Sequence, residues 1–599
     1  MNNIDEKLSN WMEETLNKEV WFIKPRYSVP KHNDSIRVGV LSTFGYDFSS
    51  IALGHLSIYH AINRDSDCPG TADRIMVYNP IADESGTILP NLKLSKKLTT
   101  LERRIPLDNL DVIFVSLTST DAVTTALHLL QLGGVPLRRE DRAGKKYPLI
   151  LAGGPGCCNP EAFANFFDFF CVGDGYNLSK DIVKAIYTLQ SQNKMINASA
   201  VYNLITDNKG LYVPELYDFR FEQGKINNII PSNNAGLVVP TIVDNSMEWT
   251  RTSLFSDGKT AVIVPSQGCK NRCAYCLLTT QGYKEYSVNP MLEKVEQFLK
   301  QGISYLIVNA ASVTQHTEIN LLLDGLSELI TKANHPVKVF LGSICFSELT
   351  PEILQKIDKL QAFSHTYSLY TNKPSDKVMA LAPEHGCTDL LRCLNRYVDS
   401  WHILDAVKKA KDVGVHNFTL YLMVGFPSES VKDRDQTSGL ISAIADEIYH
   451  DNGHLTLKIN PLIPTPGTAC QRMNMPTIEE YKTYVHEIQK GVVHRIGEKR
   501  YTDQISTVLL PEERLLIESI INRADRRIGS VIEKLLDYRS KGKQITDNVL
   551  KSWLNEAGFI WQDLAGSRDV NTILPWDFVK SVSSAQEQRV IQALKNRER

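Results

Sequence analysis

Runs of β-favouring apolar residues alternate with stretches of helical period twice along this 599-residue chain, and that alternation most limits the folds open to it. From residue 36 the order is RVGVLST, IALGHLSIYHAI, DRIMVY, DVIFVSLT, AVTTALHLLQLGG, YPLILAGG and FDFFCVGDG. Such repeats predict βαβ units in a mainly parallel, doubly wound, Rossmann-like sheet over 36–200. Ligands of these sheets bind beyond the carboxyl ends of the strands, where the strand order reverses. The loops at those ends are 43–50, 116–120 and 153–159. Their candidate contacts are Thr43, Ser116, Gly153 and Gly154, because small or hydroxyl-bearing residues permit close approach and hydrogen bonding. The glycines serve equally well to turn the chain after a buried strand. No G-x-G-x-x-G opens the first helix, which leaves a dinucleotide site without support.

The second series begins with a strand at 261–264 and continues at about 305–308, 337–341, 363–369, 418–424 and 455–459. Helical stretches such as MLEKVEQFLKQG and INLLLDGLSELITKA fill the gaps. About six strand–helix repeats predict a partial parallel α/β barrel over 256–490, with its active site at the carboxyl ends of the strands. Residues 1–35 read as an amphipathic lead-in helix that packs through Trp11, Met12, Leu16, Val20 and Trp21. Residues 201–255 read as short strands bridging the two domains, and 491–599 as a separate, mainly helical C-terminal region.

A hydrophobic fraction of 43% and a charged fraction of 22% fit a globular protein and exclude collagen-like and disordered classes. The formal charge of −2 argues against duplex binding through broad phosphate neutralisation. No apolar run approaches the roughly 18 residues of a membrane helix. The opening MNNIDEKLSNWMEETLNKE has no basic leader before an apolar stretch, so a cytoplasmic location is expected. Eleven cysteines are too sparse for a disulfide framework, and in a reducing compartment a tight group of them is more often a metal site.

The tight group lies in VIVPSQGCKNRCAYC, where Cys269, Cys273 and Cys276 follow a strand and a glycine. Three thiols on such a loop can hold one face of an iron–sulfur cluster and leave one iron open. Structural zinc is a competing reading, but it wants four protein ligands, and the next cysteine and histidine along the chain are Cys345 and His316. Cysteines without any ligand are a third. Cys157 and Cys158 sit in the glycine-rich loop and could face a ligand; Cys171, Cys345, Cys387, Cys393 and Cys470 read as packing residues. His55 and His60 read as surface or hydrogen-bonded histidines.

Cys269-x3-Cys273-x-Tyr275-Cys276 resembles the signature of the radical S-adenosylmethionine (SAM) superfamily. The resemblance implies a [4Fe–4S] cluster on the three cysteines whose open iron binds the amino and carboxylate groups of SAM. It further implies reductive cleavage of SAM to methionine and a 5′-deoxyadenosyl radical, with an electron donor such as flavodoxin or ferredoxin. Tyr275 is implied near the adenine. Asn309 and Ser312 stand where the family often has a Gly-Gly-Glu-type segment beside the SAM amino group. Within LAPEHGCTDLLRCLNR, Glu384 is implied as a contact to the ribose or amino group. YLMVGFP resembles the segment that closes over the adenosine, with Gly425 and Pro427, and NPLIPTPGT resembles the end of the last barrel strand.

Ahead of the barrel, LAGGPGCCNPEAFANFFDFFCVGDG resembles the cobalamin-binding domain of cobalamin-dependent radical SAM enzymes. Its GGP, NPE and VGDG elements are Gly153-Gly154-Pro155, Asn159-Pro160-Glu161 and Val172-Gly173-Asp174-Gly175. The domain lacks D-x-H-x-x-G, so histidine ligation of the methionine-synthase type is not expected. ADRRIGSVIEKLL and LPWDFV are similar to one branch of these proteins that carries a C-terminal helical region. The expected function is a radical SAM methyltransferase that uses cobalamin to methylate a poorly activated carbon of a small molecule or peptide. A cobalamin-independent rearrangement would use the same parts. RNA methylthiolation, with the C-terminal region and its Arg523, Arg526 and Arg527 as reader, is a second expectation, although such a group is usually a solvated helix face. A zinc-stabilised interaction protein with a catalytically dead barrel is the third.

Overall fold

The computed structural model describes residues 4–19, 35–207, 209–232, 235–241, 249–252, 259–280, 282–363, 377–580 and 582–597. The chain divides into two units: unit 1 joins Met1–Asn245, Glu513–Leu564 and Asn571–Ser581, and unit 2 joins Ser246–Glu512, Ala565–Val570 and Val582–Arg599.

In unit 1, β1 (Ile36–Gly45), β2 (Gly70–Val77), β3 (Val112–Ser116), β4 (Leu149–Gly153), β5 (Phe169–Cys171) and β6 (Leu211–Tyr212) form one sheet in the order β2-β1-β3-β4-β5-β6. Neighbours are parallel except β5 and β6. Strands of a sheet covered on both faces have no solvent side, so these segments read as continuous apolar runs and not as alternating ones. Helices Leu53–Arg64 and Tyr176–Ser191 bury Tyr59, Ile62, Ile182 and Ile186 in the core that holds Val38, Val40 and Phe114. His55 and His60 lie inside, not at the surface, and burial pushes the His60 imidazole down to about 3. A hairpin of β7 (Tyr217–Glu222) and β8 (Lys225–Pro231) occupies part of the segment expected to carry short strands.

The lead-in helix Ile4–Lys18 docks through buried Met12 and through Trp11, whose ring lies 5.9 Å from Tyr46 and 5.7 Å from Tyr78. Just beyond it, Glu19 accepts two 2.8 Å hydrogen bonds from the fully buried Arg74 guanidinium. Leu16 is half-buried, and Val20 and Trp21 lie outside the described residues.

Unit 2 contains two four-stranded sheets. The first has β9 (Trp249–Thr252) antiparallel to β10 (Lys259–Ile263), with β13 (Tyr305–Val308) and β14 (Lys338–Leu341) following in parallel. Between β10 and β13, the short strands β11 (Ser266–Gln267) and β12 (Lys284–Glu285) pair antiparallel. The second sheet is parallel throughout: β15 (Val378–Glu384), β16 (Asn417–Val424), β17 (Leu455–Pro461) and β18 (Ile505–Leu509). Helices separate the strands and bury residues at helical spacing, as Val288–Lys300 does with Val288, Met291, Val295, Phe298 and Leu299. Among the described residues the barrel does not close, and residues 364–369 of the strand expected over 363–369 lie outside them.

The separate C-terminal region expected over 491–599 is instead divided between the units. Helix Ile478–Ile496 crosses its expected start, β18 completes the second sheet of unit 2, and most of 513–581 belongs to unit 1. The physical reason is polar: buried groups must find partners, and this segment supplies them. Asn159 Nδ2 donates to the carbonyls of Ile521 (3.0 Å), Asn522 (3.3 Å) and Ala524 (2.7 Å), and Thr120 Oγ1 donates to Asn522 Oδ1 at 2.8 Å. The arginines are therefore not a solvated face. Arg523 is buried, Arg526 pairs with Glu161, and Arg527 pairs with Asp525 at 2.7 Å.

Candidate functional site

The cysteine loop springs from β10 and is closed at its base by the β11–β12 pair, Ser266 opposite Glu285. Gly268 sits at φ 69, and a Cβ there would lie 1.6 Å from the Gly282 carbonyl oxygen, so the loop closes only over a glycine. Cys273 is buried while Cys269 and Cys276 are half-buried, and all three thiols are free. The loop is fastened by backbone bonds, Ala274 N to Leu394 O at 2.9 Å and Cys470 N to Ala274 O at 3.2 Å. Lys270 Nζ donates to Gln315 O at 2.5 Å and pairs with Glu285 at 3.0 Å. Burial pushes the Cys269 and Cys276 thiols up, and neighbouring thiols add to this, so without a metal both stay protonated; a metal that binds them displaces those protons.

Carboxyl ends of neighbouring strands meet this loop. After β13, Gln315 accepts from the Cys269 thiol at 3.7 Å. Asn309 of the same connection is exposed, whereas Ser312 is buried and its Oγ lacks a hydrogen-bond partner among the described residues. Glu384 ends β15 at φ 66, a left-handed conformation costly for a residue with a Cβ, and strain of this kind gathers at functional sites. Burial pushes its carboxyl up to about 7, against the opposing pull of the Arg396 charge and the Tyr275 hydroxyl. Past β16, Gly425 at φ 84 packs where a Cβ would lie 2.6 Å from Pro476, and its N–H donates to Glu429 Oε2 at 2.5 Å. The adjoining Phe426 ring lies 6.1 Å from that of Tyr275.

Arg396 was not singled out by sequence reasoning, although it ends the LLRCLNR stretch. Asn395, at φ 55, turns the chain after helix Thr388–Cys393 so that Arg396 Nη1 donates to Cys273 Sγ at 3.6 Å. A guanidinium beside a thiolate offsets the negative charge that a thiolate-ligated cluster accumulates. Loop, free thiols, guanidinium and unpartnered Ser312 hydroxyl together fit an iron–sulfur cluster with a polar ligand beside it. Among the described residues no three or more His, Cys, Asp or Glu side chains converge on a single metal ion, as zinc would demand. A cluster that gives each thiolate its own iron makes no such demand.

In unit 1 the sheet-domain candidates separate. Thr43, near the end of β1, is buried and its Oγ1 has no hydrogen-bond partner among the described residues. Ser116 ends β3, half-buried beside Gly54. Gly153 and Gly154 are used for packing: Leu117 N donates to Gly153 O at 2.8 Å, and a Cβ on Gly154 (φ 103) would lie 2.4 Å from Leu117 O. Gly154→Ala is therefore expected to lower the unfolding free energy of this unit by about 2 kcal/mol or more, read as a lower midpoint in chemical denaturation. Gly144→Ala, with φ 68 but nothing within 4 Å, should cost clearly less. Burial pushes Cys157 up and Cys158 up to about 12, which keeps both as inert thiols. Cys345 is not simply a packing residue: it is half-buried and its Sγ accepts from Gln315 Nε2 at 3.8 Å.

The model for radical SAM proteins, N-terminal, matches residues 54–214, and that for the radical SAM superfamily matches residues 263–441. The chain belongs to the radical SAM superfamily, whose members use a [4Fe–4S] cluster and SAM and need an electron donor and a substrate. An uncharacterised protein of Methanocaldococcus jannaschii is 24% identical over 423 residues, covering 68% of this chain and 79% of that one. A tRNA-2-methylthio-N(6)-dimethylallyladenosine synthase of Clostridium botulinum is 23% identical over 316 residues, covering 49% of this chain and only 62% of that enzyme. Among solved structures, the radical SAM methyltransferase TsrM from Kitasatospora setae, with cobalamin and cluster bound, gives a TM-score of 0.47 at 11% identity over 88% of this chain and 100% of that one. The cobalamin-dependent enzyme OxsB gives 0.44 at 10% identity over 86% and 62%. At this level of likeness no property of either structure passes to this chain. No described helix is long and apolar enough to cross a membrane.

Proposed function

We propose that this radical SAM enzyme is a cobalamin-dependent methyltransferase acting on a poorly activated carbon of a small molecule or peptide. The observation that supports the corrin is the β2-β1-β3-β4-β5 strand order of unit 1, whose switch point between β1 and β3 opens into a cavity of about 790 Å³. Bound together, the cluster and SAM supply a one-electron cleavage that makes a hydrogen-abstracting radical, and a corrin supplies a transferable methyl group. Cys269, Cys273 and Cys276 hold the cluster, and Arg396 donates to Cys273. Ser312 Oγ and the Glu384 carboxyl hold the polar end of SAM, Tyr275 and Phe426 pack its adenine, and Gly425, closed against Pro476, shapes the turn beside the adenosine. Asn309, being exposed, contributes at the rim. In the sheet domain Thr43 faces the corrin; Ser116, Gly153 and Gly154 are not among the residues that line the cavity.

Protein purified without oxygen and incubated with hydroxocobalamin is expected to keep a corrin absorbance at about one equivalent after desalting. With reductant and SAM it should release 5′-deoxyadenosine. Failure to keep the corrin removes the methyl-transfer route and leaves the radical chemistry. Likeness to the Clostridium tRNA enzyme supports methylthiolation of RNA as a second reading, and a mass gain on tRNA incubated with enzyme, SAM and sulfide would decide for it.

A further inference from the structure

The segment that joins unit 1 from far along the chain does more than satisfy buried polar groups. It roofs the cavity at the switch point with Arg514, Arg539 and Lys543. The walls below come from the carboxyl ends of β1 and β3 and are rich in hydroxyls, among them Thr43, Thr118, Ser119 and Thr124. Thr43 is 7% exposed, lines the cavity, and has an Oγ1 without a hydrogen-bond partner among the described residues. A buried hydroxyl left unmade in this way costs free energy unless a ligand completes it.

The cations are unequally held. Arg514 is held by Glu518 at 2.9 Å with Asp121 3.9 Å away. Arg539 is held by Glu513 at 3.0 Å, and its Nη1 donates to Thr124 Oγ1 at 2.6 Å. Lys543, at the exposed rim, has the Tyr538 ring 5.1 Å away and, among the described residues, no carboxylate at ion-pair distance. His128, the remaining titratable group of the lining, is kept neutral near pH 7 because burial lowers its pKa. Glu518, Asp121 and Glu513 thus match the three cations in number, but Lys543 has none of them at ion-pair distance, and it stands with two arginine forks of the kind that take bidentate oxyanions.

We infer that this cavity binds a phosphate-bearing ligand of nucleotide size, its phosphate held by Lys543 and Arg539 and its polar edge by Thr43 and Thr124. The volume of about 790 Å³ falls within the range of small-molecule sites. The inference goes beyond the methyl-transfer reading and stands whether or not a corrin is used. The phosphate comes either from a mononucleotide or from the nucleotide loop of a cobalamin.

Equilibrium dialysis of the full chain separates these sources with three probes: flavin mononucleotide, hydroxocobalamin, and cobinamide, which has the macrocycle without the nucleotide loop. Either phosphate-bearing probe should bind, and Lys543→Gln should weaken it about tenfold or more with an unchanged thermal midpoint. Arg539→Gln should weaken it likewise. Flavin mononucleotide binding alone establishes the phosphate site and sinks the corrin reading. Hydroxocobalamin binding at least about tenfold tighter than cobinamide, with the difference lost in Lys543→Gln, assigns the phosphate to the corrin. Equal binding of hydroxocobalamin and cobinamide, indifferent to Lys543→Gln, overturns the inference while leaving the corrin reading intact. Binding of none of the probes overturns it as well.

Discussion

Cys269, Cys273 and Cys276 replaced together by alanine should leave a folded protein that holds no iron or sulfide and cleaves no SAM. The fold survives because the bonds that fasten the loop avoid the thiols: the β11–β12 pair, Ala274 N to Leu394 O, and Cys470 N to Ala274 O. Cys273 is the most buried of the three, and its loss leaves Arg396 facing a methyl group where it had a sulfur 3.6 Å away. The stability cost should stay within about 1–2 kcal/mol, since a small side chain is trimmed and the guanidinium keeps its bond to Ala382 O. Iron and sulfide analysis after anaerobic reconstitution, with the low-temperature resonance of the reduced sample, measures the effect. A variant that retains a cluster would overturn the assignment of the loop.

Glu161→Ala should be among the most destabilising single changes in unit 1. Its side chain is fully buried, accepts from both Arg526 and Tyr212, and ties the sheet to the segment that roofs the cavity. Alanine leaves a guanidinium and a phenol without their acceptor, and breaking a buried pair in this way costs about 3–5 kcal/mol. Arg526 keeps some solvent access, 26% of its side chain, so the lower end of that range is expected. Glu161→Gln retains an acceptor for Tyr212 and should cost less. Urea unfolding read through tryptophan emission, with proteolysis as a second probe of residues 513–564, tests both. An unchanged midpoint for the alanine variant would mean that the segment is held by its apolar contacts instead.

The doubly wound sheet and the cysteine loop could be read from the sequence because both are local: apolar runs of strand length, and three thiols within one turn-rich stretch. Glu384 came through resemblance, and its left-handed backbone is a conformation that no local pattern announces. β15 was overlooked because VMALAPE has two alanines among its apolar residues, no β-branched residue after Val378, and Pro383 near its end. The roof was misplaced for a different reason. Helices Glu512–Arg523 and Gly529–Ser540 have ordinary helical periodicity, which tells that they bury a face but not against what. The clue was chemical: an NPE element and an ADRR element far apart in the chain, each with polar groups that the other satisfies.

The order in which the chain visits its two units bears on how it is made. Unit 1 is incomplete until the residues up to Ser581 have been synthesised, although its sheet is finished by Tyr212. At roughly 5–20 residues per second, the nascent sheet waits on the order of half a minute with Asn159, Glu161 and the carboxyl ends of its strands uncovered. Most of unit 2 is built in that interval. The half-built sheet domain would therefore offer apolar and polar surface to a chaperone during translation, a window that closes only when residues 513–581 emerge.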